Sequence, residues 1–385
     1  MKKILFVATV SPFEYGGGSQ ATRAYLDSVL EIYGLNNVDI ILPKEAEIPA
    51  SYEKLNFLKI PRRSKLKSLL LFLFGVLGRF PIPVTKYLKA NIDKYRVCIF
   101  NGGKEGGWIA KKMRKENISV VIIHHNQEVE YCLDNKTIYT LGNKWPYTVK
   151  NQQKAAYKYS DINLFLTNQD MTSMMNMYGP TVSNNILIGC YDFKDASTVK
   201  LSNSKAIYNI VISGTLANYQ TVSGILDIYN RYLSIITNII PRVKILLTGR
   251  APSQEILDIV IKHSNIFSVV SSPIDILTEV QKGSIYLCPT NIGSGLKLRV
   301  MDGLKCGLPV LVHSISARGY DYFFNKPYFF VYKDEQSFTN GLNQIMQYLE
   351  KEQNSKETIM NDYYNFFGYS NGKVRLQKAL SSSPI

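Results

Sequence analysis

The chain has 385 residues, of which 45% are hydrophobic and 19% charged, and it carries a formal charge of +15. That length accommodates two cores at roughly 100–200 residues per domain, and the composition excludes a disordered or fibrous chain. The positive balance calls for an anionic partner: a phosphorylated ligand, an anionic membrane face or nucleic acid.

In chain order, Met1-Lys2-Lys3 leads into a short apolar run, Ile4-Leu5-Phe6-Val7, too brief for a signal-peptide core. The expectation is a cytoplasmic chain. Short apolar runs at 3–9, 38–43, 55–61, 97–102, 119–126, 162–168 and 186–192 alternate with helical stretches. They are rich in Val, Ile, Leu and Phe on both faces, the pattern of a parallel sheet covered by helices on both sides. Segment 193–206 is polar, has no strand pattern and is taken as an interdomain linker. A second set of runs follows at 207–214, 242–249, 266–272, 284–290, 309–314 and 328–333. The predicted fold is α/β: two Rossmann-like, doubly wound parallel-sheet domains facing a central cleft, with ligands at the carboxyl ends of the strands. The predicted domains are 1–192 and 207–360, and 361–385 forms a last helix returning toward the first domain. Cys98, Cys132, Cys190, Cys288 and Cys306 form no CxxC pair, and most have apolar neighbours, so reduced buried thiols are expected.

Two glycine-rich segments stand out. Gly16-Gly17-Gly18-Ser19 precedes a helical run beginning near Gln20, but the six residues Val10-Ser11-Pro12-Phe13-Glu14-Tyr15 separate it from the first strand. That spacing is too long for a dinucleotide fingerprint. The stretch 288–312 is more specific. A strand ends at Pro289, and Asn291-Ile292-Gly293-Ser294-Gly295 makes a loop. A helix is predicted over about 296–306, Gly307 stops it, and Pro309 opens the next strand. Glycines let backbone N–H groups approach phosphate oxygens, and a helix N-terminus favours an anion. Lys297 would sit in the first helical turn, where a cation is unfavourable unless an anion is bound. A charge-assisted hydrogen bond there contributes about 1.5–3 kcal/mol. Asp302 can accept two hydrogen bonds from a ribose diol. The Gly-Ser-Gly loop alone reads more readily as a plain turn with a solvated Lys and Asp; the full stretch favours a diphosphate.

His124-His125-Asn126 ends the fifth predicted strand, and adjacent residues on a strand point to opposite faces. Arg62-Arg63-Ser64-Lys65-Leu66-Lys67 precedes a largely apolar run at 69–79. That run is about half of the ~20 residues needed to span a bilayer. It either lies in the headgroup region of an anionic membrane or packs on the first sheet. No zinc-ligand spacing and no RNP-type motif occurs, so no nucleic-acid partner is expected. No Asp-x-Asp triplet occurs either, which fits chemistry without a metal.

The 288–312 stretch resembles the retaining glycosyltransferases of the GT-B fold, in particular family 4. These carry an E-x7-E pair after a glycine-rich loop. Here Asp302 matches the second acid and Ser294 stands in place of the first. Residues 293–302 look like a variant pattern, Gly-x-Gly-x-Lys-x-Lys-x-x-Glu. Further matches are the strand and turn at 210–216, the Gly-x-x-Pro turn at 246–252, the loop Ser271-Ser272-Pro273-Ile274-Asp275 and the aromatic-serine signal Phe367-Gly368-Tyr369-Ser370. The resemblance departs after the first strand of the second domain. The family's Arg and Lys are absent from Thr215-Leu216-Ala217-Asn218-Tyr219-Gln220. Lys297 would then supply the positive charge. Arg299, about 200° away at helical spacing, also reads as a solvated residue.

The resemblance implies transfer of a hexosyl group from a UDP- or GDP-sugar to a glycan or lipid-linked hydroxyl acceptor, with retention, in bacterial surface-polysaccharide assembly. It implies that the first domain binds acceptor and the second donor. His125 and Lys297 are the expected catalytic residues, His124 being a core residue. Donor contacts are expected from Gly17, Gly18, Gly214, Asp275, Gly293, Ser294, Gly295, Leu296, Arg299 and Asp302. No cofactor and no metal are expected, Lys and the helix dipole replacing a cation. The expected location is cytoplasmic, with peripheral contact through 62–79 on the inner face of the plasma membrane. Competing readings are a sugar-nucleotide epimerase of this fold, a partner subunit that has lost activity, and a basic nucleic-acid binder.

Overall fold

The computed structural model describes every residue except Met1, Tyr15, Gly78, 135–143, 200–205, 353–354 and 383–385. Part of the expected linker, 200–205, therefore lies outside the described residues. Strands β1 (Lys3–Ala8), β2 (Val38–Pro43), β3 (Asn56–Ile60), β4 (Tyr95–Asn101), β5 (Ser119–His124), β6 (Ile162–Phe165) and β7 (Asn184–Leu187) form one sheet. Its order is β3-β2-β1-β4-β5-β6-β7. Strands β8 (Tyr208–Thr215), β9 (Ile245–Arg250), β10 (Phe267–Ser271), β11 (Gly283–Cys288), β12 (Val310–His313) and β13 (Phe329–Tyr332) form a second, in the order β10-β9-β8-β11-β12-β13. Neighbouring strands run parallel throughout.

The chain divides into two compact units. The first holds Met1–Ala196, Ser294–Leu296 and Gly368–Ile385; the second holds Ser197–Gly293 and Lys297–Phe367. Strands buried on both faces explain the continuous apolar runs: all six residues of β2 are buried, as are five of six in β1 and β5. In the first unit Leu5, Val7, Phe100 and Ile122 pack on Ile109, Ala110 and Met113 of helix Gly103–Met113. In the second, Ile210, Ile212, Leu247 and Leu287 pack on Ile225, Tyr232, Leu342 and Ile345. The C-terminal helix Tyr369–Ser381 belongs to the first unit, where Arg375 Nε donates to the Ile188 carbonyl at 2.9 Å and Lys373 pairs with Glu31 at 2.6 Å. All five cysteines are free and buried.

Each sheet has one place where its winding reverses. In the first, β1 lies between β2 and β4, and in the second β8 lies between β9 and β11. Crossovers leave such a pair in opposite directions, so the loops at its carboxyl ends diverge and leave a crevice open to ligands. The carboxyl ends meeting there are Ala8 beside Asn101 in one sheet and the ends of β8 and β11 in the other.

Helix Gly103–Met113 and helix Lys144–Tyr159 approach so closely that a Cβ on Gly107 would lie 1.9 Å from the Gln152 carbonyl oxygen. Gly107→Ala must therefore push two helices apart. It is expected to destabilise the protein by about 1–3 kcal/mol in urea unfolding. Gly18→Ala, whose Cβ meets nothing within 4 Å, should change stability by less than about 0.5 kcal/mol.

Candidate functional site

In the second unit the glycine loop follows β11. Gly293 has φ 98°, a left-handed conformation that glycine adopts without strain. A Cβ on it would lie 2.6 Å from Gln220 Nε2 and 2.9 Å from Lys297 Nζ. The Lys297 ammonium is thus folded beneath the loop, and the residue is only 8% exposed. The expected helix is shorter than the sequence pattern suggested. It spans Arg299–Lys305 and leaves Lys297 in the approach to it, outside its first turn. Lys297 instead has its carbonyl held by the Tyr320 hydroxyl at 2.8 Å. A lysine is almost never this buried without an anionic or polar counterpart, so burial at the glycine loop replaces the helix-dipole argument.

Arg299 is not a solvated surface residue. Its Nη1 donates to Thr221 Oγ1 at 2.8 Å and to Thr290 Oγ1 at 3.3 Å. The guanidinium lies so close under Gly214 that a Cβ there would sit 2.7 Å from Nη1. Gly214 (φ 150°) in turn pairs with Gly249, where any Cβ would fall 1.6 Å from the Gly214 oxygen. The charge missing from the turn after β8 is therefore supplied from helix Arg299–Lys305. Gln220 and Thr221 begin helix Tyr219–Asp227, whose Gly224 packs on the Pro289 carbonyl (2.6 Å from an ideal Cβ). That contact sets the helix start beside the glycine loop. Gln220, Thr221 and Thr290 escaped the sequence reading, because uncharged polar side chains at strand and helix ends carry no periodic signal.

Asp302 lies in the first turn of helix Arg299–Lys305, half-buried, where a carboxylate favours the helix dipole. Asp275 is exposed and caps helix Ile276–Val280: Leu277 N donates to its Oδ1 at 3.0 Å and Thr278 Oγ1 to its Oδ2 at 2.7 Å. Its carboxylate is thus engaged by its own loop.

The loop tip Ser294–Leu296 belongs to the first unit. Ser294 is buried, its hydroxyl donating to the Gln127 carbonyl at 3.1 Å. Gly295 has φ 72°, and a Cβ on it would lie 1.8 Å from Asn126 Oδ1; Leu296 is half-buried.

At the carboxyl edge of the first sheet, β5 stops at His124, one residue before His125 and sooner than expected. His124 is fully buried, stacked on Phe165 with centroids 5.0 Å apart and bonded through Nε2 to Asn163 Oδ1 at 2.8 Å. His125 turns the other way, its Nε2 lying 2.6 Å from Asn101 Oδ1. Burial, then the Lys104 charge, lower its pKa to about 4, so it is neutral at pH 7. Lys104 itself lies 3.7 Å from the Glu128 carboxylate.

Gly17 and Gly18 are exposed and form the first turn of helix Gly17–Tyr33, where a loop had been expected. Gly16, at φ 136°, provides no side-chain cap, and the first turn holds no acidic residue. The leading N–H groups of this helix are thus presented without a side-chain cap.

Solved structures share this fold. Sucrose-phosphate synthase from Thermosynechococcus elongatus superposes with a TM-score of 0.71 at 14% identity, covering 99% of this chain and 98% of that one. HepE from Anabaena, in complex with UDP, gives 0.68 at 12%, covering 99% and 100%. The lipopolysaccharide outer core galactosyltransferase WaaB gives 0.66 at 12%, covering 99% of each. No protein-family model matches the chain, and no curated protein matches it in sequence. The likeness is one of fold: two Rossmann-like parallel-sheet domains, as in GT-B glycosyltransferases.

Proposed function

We propose that the chain is a retaining, metal-independent glycosyltransferase that moves a hexosyl group from a UDP- or GDP-sugar to a hydroxyl acceptor. The observation that carries this reading is the buried Lys297 ammonium folded against the left-handed Gly293 loop at the switch point of the second sheet. HepE, of the same fold, has been solved with UDP-glucose, which supports the donor class. Lys297 and Arg299 stabilise the charge that develops on the departing diphosphate, and backbone N–H groups of Gly293, Ser294, Gly295 and Leu296 add to it. Asp302 holds the ribose. Gly214 leaves room for the Arg299 guanidinium, and the engaged Asp275 carboxylate shapes the loop beside the base. In the first unit the open start of the 17–33 helix at Gly17 and Gly18 favours phosphate, and neutral His125 accepts a hydrogen bond from a sugar hydroxyl. In the transfer, the bond from the anomeric carbon to the phosphate oxygen breaks and one to the acceptor oxygen forms. The acceptor proton passes to the leaving phosphate. No cofactor is required.

Calorimetric titration with UDP- and GDP-sugars in the absence of metal tests this. One donor should bind, and Lys297→Ala should weaken it at least about tenfold, the loss of one charge-assisted hydrogen bond. A folded protein that binds no donor contradicts the proposal. Donor binding without transfer or hydrolysis would place the chain as an inactive partner, a reading favoured by Ser294 standing where the family has an acid. Donor conversion without acceptor would make it an epimerase.

We further propose that the enzyme works on the cytoplasmic face of an anionic membrane, on a glycan or lipid-linked acceptor of bacterial surface polysaccharide. Segment 54–92 holds nine Lys and Arg and no acid. Within it helix Lys65–Leu73 turns Leu66 (70% exposed), Leu69 and Leu70 to solvent, and Phe74, at 83%, follows. Exposed Lys65 and Lys67 flank this stripe. The alternative of packing on the sheet fails for the exposed leucines. The buried members, Phe72 and Leu77, pack on Val129, Cys132 and Val149 of neighbouring helices. Among the described residues no helix is long and apolar enough to cross a membrane, and the contact proposed is interfacial. The protein should co-sediment with phosphatidylcholine vesicles containing phosphatidylglycerol and not with phosphatidylcholine alone. Leu66→Glu/Leu70→Glu should abolish this, whereas equal binding by the double variant would refute the assignment.

A further inference from the structure

A chain of three hydrogen bonds runs away from His125 through residues the donor site does not account for. His125 Nε2 lies 2.6 Å from Asn101 Oδ1. Asn101 Nδ2 donates to Thr22 Oγ1 at 2.6 Å, and Thr22 Oγ1 donates to the Gly18 carbonyl at 2.6 Å. Asn101 ends β4, and Thr22 lies on the helix that starts at Gly17. The two are 79 residues apart in sequence and 5% and 2% exposed.

Each link has its direction imposed by the next. A carbonyl oxygen only accepts, so the Thr22 hydroxyl hydrogen is committed to Gly18. The Thr22 oxygen must then accept, and its partner is the Asn101 amide N–H. That orientation turns the Asn101 carbonyl oxygen toward His125. This oxygen also only accepts, so the neutral imidazole must carry its hydrogen on Nε2. Reversing the chain would strip the Thr22 hydroxyl from Gly18, and half-satisfied buried networks are costly.

We infer that Asn101 and Thr22 are positioning residues that hold His125 as the Nε2–H tautomer and keep its Nδ1 lone pair for a hydroxyl-bearing ligand. Nδ1 makes no hydrogen bond to the described residues, and Tyr25 lies edge-on to the ring with centroids 6.2 Å apart. An imidazole held this way accepts from a hydroxyl and has no N–H to offer a phosphate or a carbonyl. The glycines at the helix start and the histidine at the strand end are thus joined: the carbonyl of Gly18 dictates which nitrogen of His125 is available. The identity of the hydroxyl as that of a transferred sugar rests on the proposed function; the tautomer does not.

Long-range 15N–1H spectra of the full chain with 15N-labelled histidine test this at pH 7. His125→Gln identifies the resonance among the four histidines. The expected wild-type spectrum has His125 as a single tautomer, with the hydrogen on Nε2. Thr22→Val removes the hydroxyl while keeping the side-chain shape. It frees the Asn101 amide to turn over, so the single-tautomer pattern should be lost, and Thr22→Ser should restore it. An Nδ1–H tautomer in the wild type, or an unchanged pattern in a folded Thr22→Val protein, overturns the inference. The spectra require no donor, so failure of the glycosyltransferase reading would appear in calorimetry and leave this result standing.

Discussion

The two reversals of winding, between β1 and β4 and between β8 and β11, are the constraint on which the rest depends. A parallel sheet must return each strand by a crossover, and only where the returns diverge does the carboxyl edge stay uncovered. In the second unit that edge is lined by three glycines in close contact with their neighbours. Gly249 lies against the Gly214 oxygen, Gly214 against Arg299, and Gly293 against Gln220 and Lys297. A Cβ at Gly249 would collide with backbone, and one at Gly214 or Gly293 would displace the ends of the Arg299, Gln220 and Lys297 side chains. They bring polar backbone and two cations to one edge of one sheet.

Charge placement follows from that backbone. The turn after β8 carries no cation, yet the space beside Gly214 is occupied by a guanidinium. Arg299 arrives from helix Arg299–Lys305 and is clamped by Thr221 and Thr290, hydroxyls that fix its direction without neutralising it. Lys297 reaches the loop from the chain just ahead of that helix. The two cations therefore arrive by different routes, Arg299 at Thr221 and Thr290 and Lys297 at Gly293. The helical-wheel argument that they must diverge holds only for residues within one helix, and Lys297 precedes it.

The architecture was largely legible in the sequence. Twelve of the thirteen described strands fall on the predicted runs to within about three residues at either end, most of them because burial on both faces writes a continuous apolar pattern. The exception is β7, at Asn184–Leu187, which shares only Ile186 and Leu187 with the 186–192 run, because this edge strand has no fully buried residue and so no such pattern. Their ends were less legible. The 119–126 run reads as strand through Asn126, yet β5 stops at His124, and this frees His125 to turn from the core that holds His124. The glycines at 17 and 18 read as loop because they are poor helix formers, but they form a helix start, where that cost is smallest. Asn101 and Thr22 were not legible at all. Their partnership spans 79 residues and exists only because β1 and β4 are neighbours.

Amide hydrogen exchange with and without UDP, in the absence of metal, tests the central claim that the second unit holds the nucleotide diphosphate at its glycine loop. The account predicts slowed exchange at 289–302 and at the helix start at 215–222, the backbone around Gly293, Lys297, Arg299, Asp302 and Thr221. No slowing at either segment at saturating UDP, or slowing confined to other parts of the chain, would contradict it.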